Sequence, residues 1–240
     1  TVDLSLPDVK RVHAEFGVTV NDVLLAVITG ALRSWLMARG VPVGQGDILR
    51  ALLPVSVAVP ADAAHDAGGN RVTAALVDLP VGEPDSAVRL QQISYQLAQL
   101  DEGQHFVGAD TLVGLAGFTP ATLHALGARM GSSLSRKVYN LVVTNVPGPQ
   151  RPLYAAGSRM DAAYPVVPLT KGQALSVGLI SYDGTICVGL YADRDALPDL
   201  DVLVSCVEES AEELLARRDR SRRTLRVVRR GDAAAAGDAP

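Results

Sequence analysis

Between Thr19 and Gly40 (TVNDVLLAVITGALRSWLMARG) apolar residues return every three or four positions, which predicts one long helix. Its ends are written into the residues around it. Thr19 is an N-cap, Asp22 three positions on makes an acidic variant of the capping box, and Val18 and Val23 occupy the two staple positions. Gly40 follows Arg39 and Pro42 comes two later, which stops the helix with a left-handed residue and forbids its continuation. At about 100° per residue, Asn21 projects with Leu25, Ile28, Leu32 and Trp35, the stripe that must face a core, so Asn21 is expected to point inward. Asp22, Thr29 and Arg33 share a flank expected to be solvated or ion-paired. Two roles are open to an inward amide beside the unpaired N–H groups of a helix start: orienting a polar substrate, or satisfying neighbouring backbone.

The rest of the chain switches between strand and helix periods. Thr1 to Leu6 alternates as a strand with no leader before it, so an upstream part is expected to be missing. Pro7 and Asp8 open a short helix with Val9, Val12 and Phe16 on one side, ended by Gly17; His13 borders that side with no evident partner. Ile48 to Val59 is strongly apolar but divided by Pro54, which predicts a bulge or an edge position rather than a central strand. Arg71 to Leu79 is a second strand, and a helix from Asp85 to about Glu102 carries Val88, Ile93, Leu97 and Leu100 on one face with glutamines opposite. Phe106 to Leu134 reads as two short, unusually apolar helices divided at Phe118. Val138 to Val146 is a buried strand closed by Pro147, Gly148 and Pro149, and a short strand around Leu153 to Met160 follows. A proline-marked loop through Tyr164, Pro165 and Pro168 ends in Thr170, Lys171, Gly172 and Gln173. Ala174 to Tyr182 and Thr185 to Ala192 form a hairpin across Asp183 and Gly184, and Val202 to Arg217 is a final amphipathic helix. The pattern is α/β: a sheet with helices to cover it, ending in a hairpin and a C-terminal helix.

Composition narrows the partners. With 48% hydrophobic and 20% charged residues among 240, the chain buries a sizeable core. Aromatics at 4% and a net charge of −4 argue against a nucleic-acid partner. No uninterrupted apolar run reaches the ~20 residues of a bilayer span. Cys187 and Cys206 lack ligand spacing and read as small buried hydrophobes, which suggests a reducing, intracellular setting. Charge is segregated: Arg217 to Arg230 holds eight arginines against Asp219, a local +7 that leaves −11 on the rest. The chain thus divides into a lobe over residues 1–217 and a basic, then low-complexity, tail over 218–240. That tail is open to contact with anionic lipid, to solvation, or to folding back on the body.

The residues contain no Gly-rich phosphate loop, zinc-binding helix motif, nucleophile elbow or cysteine cluster, and His13, His65, His105 and His124 are scattered. What stands out is a series in order: Thr19 to Ala26 (TVNDVLLA), Pro54 to Val57 (PVSV), Gly69 to Val72 (GNRV), Asn140 to Pro149 (NLVVTNVPGP), Pro152 to Gly157 (PLYAAG), Tyr164 to Val166 (YPV), Gly172 to Leu175 (GQAL) and Asp193 to Asp195 (DRD). This series resembles the C-terminal half of the bacterial wax ester synthase / diacylglycerol acyltransferase family, from Thr1 to about Leu215. The resemblance implies one lobe of a chloramphenicol acetyltransferase-like fold: a mixed β-sheet covered by helices, paired with a related N-terminal lobe across a channel.

The family's catalytic base is the second histidine of an H-H-x-x-x-D-G motif on the N-terminal lobe. That motif is absent here. His65 precedes Asp66 directly, and Asp110 comes one residue too late after His105. By resemblance, the other lobe's histidine deprotonates diacylglycerol or a fatty alcohol, which attacks the thioester of acyl-CoA as co-substrate, with no resident cofactor or metal. This chain alone is then expected to be inactive, with a cytoplasmic setting at the inner face of the membrane or at lipid bodies. Asn21 and Asn145 are placed nearest the channel, and Thr170, Gly172 and Gln173 form a loop where glycine permits close backbone approach to a ligand. For Asn145 the alternative is a local turn cap before Pro147, and for Gln173 a purely structural role stands level with a binding one. Two other readings stand beside acyl transfer to diacylglycerol or a fatty alcohol: a non-catalytic lipid- or partner-binding module of the same fold, and an acyltransferase with a different alcohol acceptor.

Overall fold

Both expected ends of the long helix are present. In the computed structural model, which describes residues 1–57, 71–102, 138–169 and 172–235, the first elements are β1 (Val2–Ser5), α1 (Leu6–Phe16) and α2 (Val20–Ala38). The Thr19 hydroxyl accepts from the Asp22 N–H at 3.1 Å and the Asp22 carboxylate accepts from the Thr19 N–H at 2.8 Å. The capping box is therefore closed from both sides. Val18 and Val23 are buried beneath it. Gly17 ends α1 with a left-handed φ of 67°, and His13, four residues before it, donates from Nδ1 to the Val18 carbonyl in the turn that leads into α2.

Six strands form one mixed sheet. The further elements are β2 (Leu49–Val57), β3 (Arg71–Leu79), α3 (Ser86–Glu102), β4 (Leu141–Val146), the two-residue pair β5 (Tyr154–Ala155) and β6 (Ser158–Arg159), then β7 (Leu175–Tyr182), β8 (Thr185–Ala192) and α4 (Leu200–Ala235). The order is β1-β8-β7-β4-β2-β3, with β4 parallel to both β2 and β7 and the other neighbours antiparallel. Alternate residues of every strand, such as Leu4, Val188, Val177, Val143, Leu53 and Val77, pack into one core with the helices. α2 lies at its centre, buried from Asp22 through Leu32, with α1, α3 and α4 around it. By length and composition α2 is the one described helix apolar enough to cross a membrane, yet its apolar surface is used up inside the fold.

The other face of the sheet is crossed by the segment from Leu153 to Val167. Gly178 of β7 and Gly189 of β8 are register partners, and Pro165 sits against both. Ser176 Oγ donates to the Val167 carbonyl at 2.5 Å, Tyr164 donates to Asp3 at 2.8 Å, and the Tyr182 hydroxyl accepts from the Leu153 N–H and donates to the Met160 carbonyl. The Asp3 carboxylate pushes the Tyr164 phenol pKa up.

Several expectations are corrected. Asp22 and Thr29 are buried, not solvated, because α3 and the sheet close over the flank they share; Thr29 Oγ1 donates to the Leu25 carbonyl and Arg33 to that of Val81. Of the two positions expected for Pro54, β2 shows no bulge there and takes the other, a local edge. The β4 ladder covers only Ala51 and Leu52, so Pro54 falls where β2 is paired on the β3 side alone and its missing N–H costs nothing. Val88 is exposed and its place in α3's buried face is taken by Arg89. Leu153 to Met160 is a miniature hairpin, turned by Ala156 and Gly157 at positive φ, and the last helix runs on to Ala235 instead of stopping at Arg217. The Asp183–Gly184 hairpin and the two free, buried cysteines are as expected; burial, with Glu209 nearby, raises the Cys206 thiol pKa. The two apolar helices expected over 106–134, with His105 and His124, and the His65 loop lie outside the described residues.

A Cβ at Gly189 would stand 2.0 Å from the Pro165 carbonyl oxygen, a backbone atom that cannot step aside cheaply. Gly189→Ala is expected to destabilise the protein by about 1–3 kcal/mol through overpacking, read as a lowered midpoint in denaturant unfolding.

Candidate functional site

The N-terminus of α2 meets the C-terminal end of β4. Asn145 projects from β4 on the helix side of the sheet, and its Nδ2 donates to Asn21 Oδ1 at 3.3 Å across 124 positions of sequence. Asn21 is thus inward, as its helical position requires, and half-buried. Among the described residues this is the one hydrogen bond of either side chain, which leaves the Asn21 NH₂ group, one Asn145 N–H and the Asn145 carbonyl oxygen uncommitted. The positive end of the α2 macrodipole lies at the same place. These are fixed donors suited to a carbonyl oxygen or a developing oxyanion.

Beside them is a cavity of about 460 Å³, within the range of small-molecule sites. Its floor is the start of α2, with Thr19 and Asn21, and its walls are Leu53, Ala75, Leu97 and Leu100. Asn145 stands at its edge rather than in its wall. Neither Leu53 and Ala75 nor Ser94, which adds a hydroxyl, was assigned from sequence. The available signal was the α3 stripe, whose last members, Leu97 and Leu100, are only half-buried where the earlier Ile93 is fully buried.

The other nominated residues are elsewhere. Val142 pairs with Ser176 and Asn145 with Leu179, so Gln173, six residues before Leu179, lies ~20 Å away along the strands. Gly172, exposed at a left-handed φ of 90°, stands with it at the start of β7. Thr170 lies outside the described residues. The structure therefore brings Asn21 and Asn145 together and sets Gly172 and Gln173 at the opposite end of the sheet. Gln173 is 6% exposed, and neither its Oε1 nor its Nε2 has a partner among the described residues.

The remaining buried charge is structural in its contacts. Arg89 reaches through the space left by Gly30 to pair with Glu213 at 3.3 Å and donates to the Glu83 carbonyl, tying α3 to α4. Burial lowers its pKa and Glu213 opposes that shift. No group of three metal-ligating side chains exists among the described residues.

Residues 68–215 match the WS/DGAT C-terminal domain family model. The chain belongs to this family. As a WS/DGAT C-terminal domain it is 34% identical over 221 residues to the probable diacylglycerol O-acyltransferase tgs1 of Mycobacterium tuberculosis, covering 92% of this chain and 47% of that one. It is 35% identical over 210 residues to tgs2 of the same organism, a probable diacylglycerol O-acyltransferase, covering 88% and 45%. The chain spans about half the length of these relatives. The wax ester synthase/diacylglycerol acyltransferase from Marinobacter aquaeolei VT8 superposes with a TM-score of 0.69 at 28% identity, over 90% of this chain and 48% of that one. A condensation domain of the enacyloxin polyketide synthase shares the fold at a TM-score of 0.55 and 11% identity.

An apolar side chain of similar shape in place of an unpaired buried amide removes its desolvation cost. Gln173→Met is therefore expected to hold or raise stability by ~1 kcal/mol, measured by thermal melting; a clear fall would mean that the amide is paired.

Proposed function

We propose that this WS/DGAT C-terminal domain supplies one wall of the active-site channel of an acyl-CoA-dependent O-acyltransferase that makes triacylglycerol or wax ester, the catalytic histidine standing on an N-terminal lobe. The observation that carries the reading is the Asn21–Asn145 pair at the α2 N-terminus, beside an apolar cavity, within a chain of this family. The relatives named as diacylglycerol acyltransferases are about twice as long, which leaves room for such a lobe.

In this reading the histidine takes the proton of the alcohol hydroxyl as its oxygen attacks the acyl-CoA carbonyl carbon. Charge gathers on the former carbonyl oxygen, where amide N–H groups of Asn21 and Asn145 stabilise it. The intermediate collapses with cleavage of the C–S bond, and the histidinium returns the proton to the departing CoA thiolate. Leu53, Ala75, Leu97 and Leu100 hold an apolar chain and exclude water from the thioester. Gln173, at the far end of β7, offers its unpaired amide to a polar part of a substrate that enters from that side.

Two outcomes test this. The 240-residue chain alone is expected to show no turnover of acyl-CoA with diacylglycerol or fatty alcohol, whereas the protein that includes an N-terminal lobe with the histidine motif turns over; thiol release on CoA discharge reads both. In that complete enzyme, Asn21→Ala is expected to lower kcat by on the order of a hundredfold, as loss of an oxyanion donor does. The melting temperature should barely change, because Thr19 and Asp22 still cap α2. Lowered stability with unchanged turnover per folded molecule would return Asn21 to a bracing role.

A further inference from the structure

A second cavity, of about 320 Å³, lies between α1 and α4 and shares no residue with the one beside Asn21. Its floor is apolar. Val9 and Val12 of α1, Val23 and Val27 of α2 and Leu214 of α4 line it, and each is buried. Packed interiors leave few voids of this size. Here the α4 residue over the gap is Ala211, whose methyl leaves it unfilled.

The mouth is acidic. Asp3 of β1, Asp8 of α1 and Glu208 and Glu212 of α4 complete the lining. Asp8 is taken by Arg11 at 2.7 Å, and Asp3 accepts from the neutral Tyr164 hydroxyl. Glu208 and Glu212 stand one turn apart on α4, both exposed, and have no partner among the described residues. Like charges at that spacing weaken a helix, and a cation between them removes the repulsion. Among the described residues no three of these carboxylates converge as metal ligands do, so the negative charge is spread over the mouth rather than focused on a point.

We propose that this cavity binds an amphipathic organic cation: a primary ammonium on a short aliphatic chain, the chain among the valines and the ammonium between Glu208 and Glu212. The floor rewards apolar length and the mouth selects the sign of the head group. Each methylene buried strengthens binding about fourfold, and each exposed carboxylate adds up to about fivefold at low salt. A single turn of polypeptide helix, ~10 Å across and ~5.4 Å high, already exceeds the space, which therefore suits one small chain. The same mouth repels fatty acids and acyl-CoA, so this cavity is no second acyl site, and the proposal stands apart from the acyl-transfer reading.

The test is methyl NMR of the 240-residue chain, titrated at neutral pH and low salt with n-octylammonium, n-octanol and octanoate. Shifts at Val9, Val12, Val27 and Leu214 report this cavity and shifts at Leu97 and Leu100 the one beside Asn21, so the two are read apart. In the first set n-octylammonium is expected to bind about tenfold tighter than n-octanol and ~15-fold tighter than n-hexylammonium, and octanoate not to bind. The variant E208Q/E212Q should lower ammonium affinity about tenfold and leave alcohol affinity unchanged. Ala211→Leu should fill the cavity and abolish ammonium binding, with circular dichroism to check the fold. If Ala211→Leu does not fold, the double variant, which alters only exposed side chains, still decides. Absence of ammonium binding, equal binding of alcohol and ammonium, binding of octanoate at this set, or an ammonium affinity untouched by E208Q/E212Q would overturn the proposal.

Discussion

α2 is apolar on almost every side, and the fold is what is needed to cover it. A helix buried from Asp22 through Leu32 requires a sheet on one side and helices on the others, and α1, α3 and α4 supply them. Because the core clasps the helix all round, its polar groups can be met only at its ends and in gaps made for them. At the C-terminal end Trp35 Nε1 reaches Asp199, and Arg39 stacks on the Trp35 ring. Midway, Gly30 has no side chain, so the Arg89 guanidinium fits and locks α3 to α4 through Glu213. A buried arginine without its partner would be costly, so this contact ties the two outer helices together as well as filling space.

At the N-terminal end the same constraint makes the candidate site. The capping box consumes Thr19 and Asp22, which fixes the direction of α2 and leaves Asn21 to face β4. Asn145 arrives there because β4 runs parallel to β2 and β7, so its C-terminal end points toward the helix start. The polar pair borders an apolar cavity whose walls come from β2, β3 and α3. Fixed donors at the end of an apolar recess suit a ligand with a long apolar chain and one polar oxygen.

The back of the sheet serves a different end. Pro165 over the Gly178–Gly189 pair, with Tyr164 on Asp3 and Tyr182 on two backbone groups, ties the Leu153–Val167 segment to the sheet.

Much of the local chemistry was legible in the chain. The caps at Thr19 and Gly17, the Asp183–Gly184 turn and the inward side of Asn21 depend on neighbours a few residues away, and each stands where its spacing put it. The eight short motifs that carried the family resemblance are likewise local strings. What the sequence could not decide is which sides of an element are wrapped and which strands become neighbours. Thr29 and Asp22 read as a solvated flank because nothing nearby reveals that α3 will cover them. The burial of Arg89 has no local signal, because Gly30 and Glu213, which admit and pair it, are 59 and 124 positions away. Pro54 signals an edge, but only the tertiary ladder shows that the edge arises because β4 leaves β2 at Leu52. The distance between Asn145 and Gln173 follows from strand register, and their meeting or parting was invisible in a list of motifs. Burial and register are made by contacts far apart in the chain, and only the folded structure brings them together.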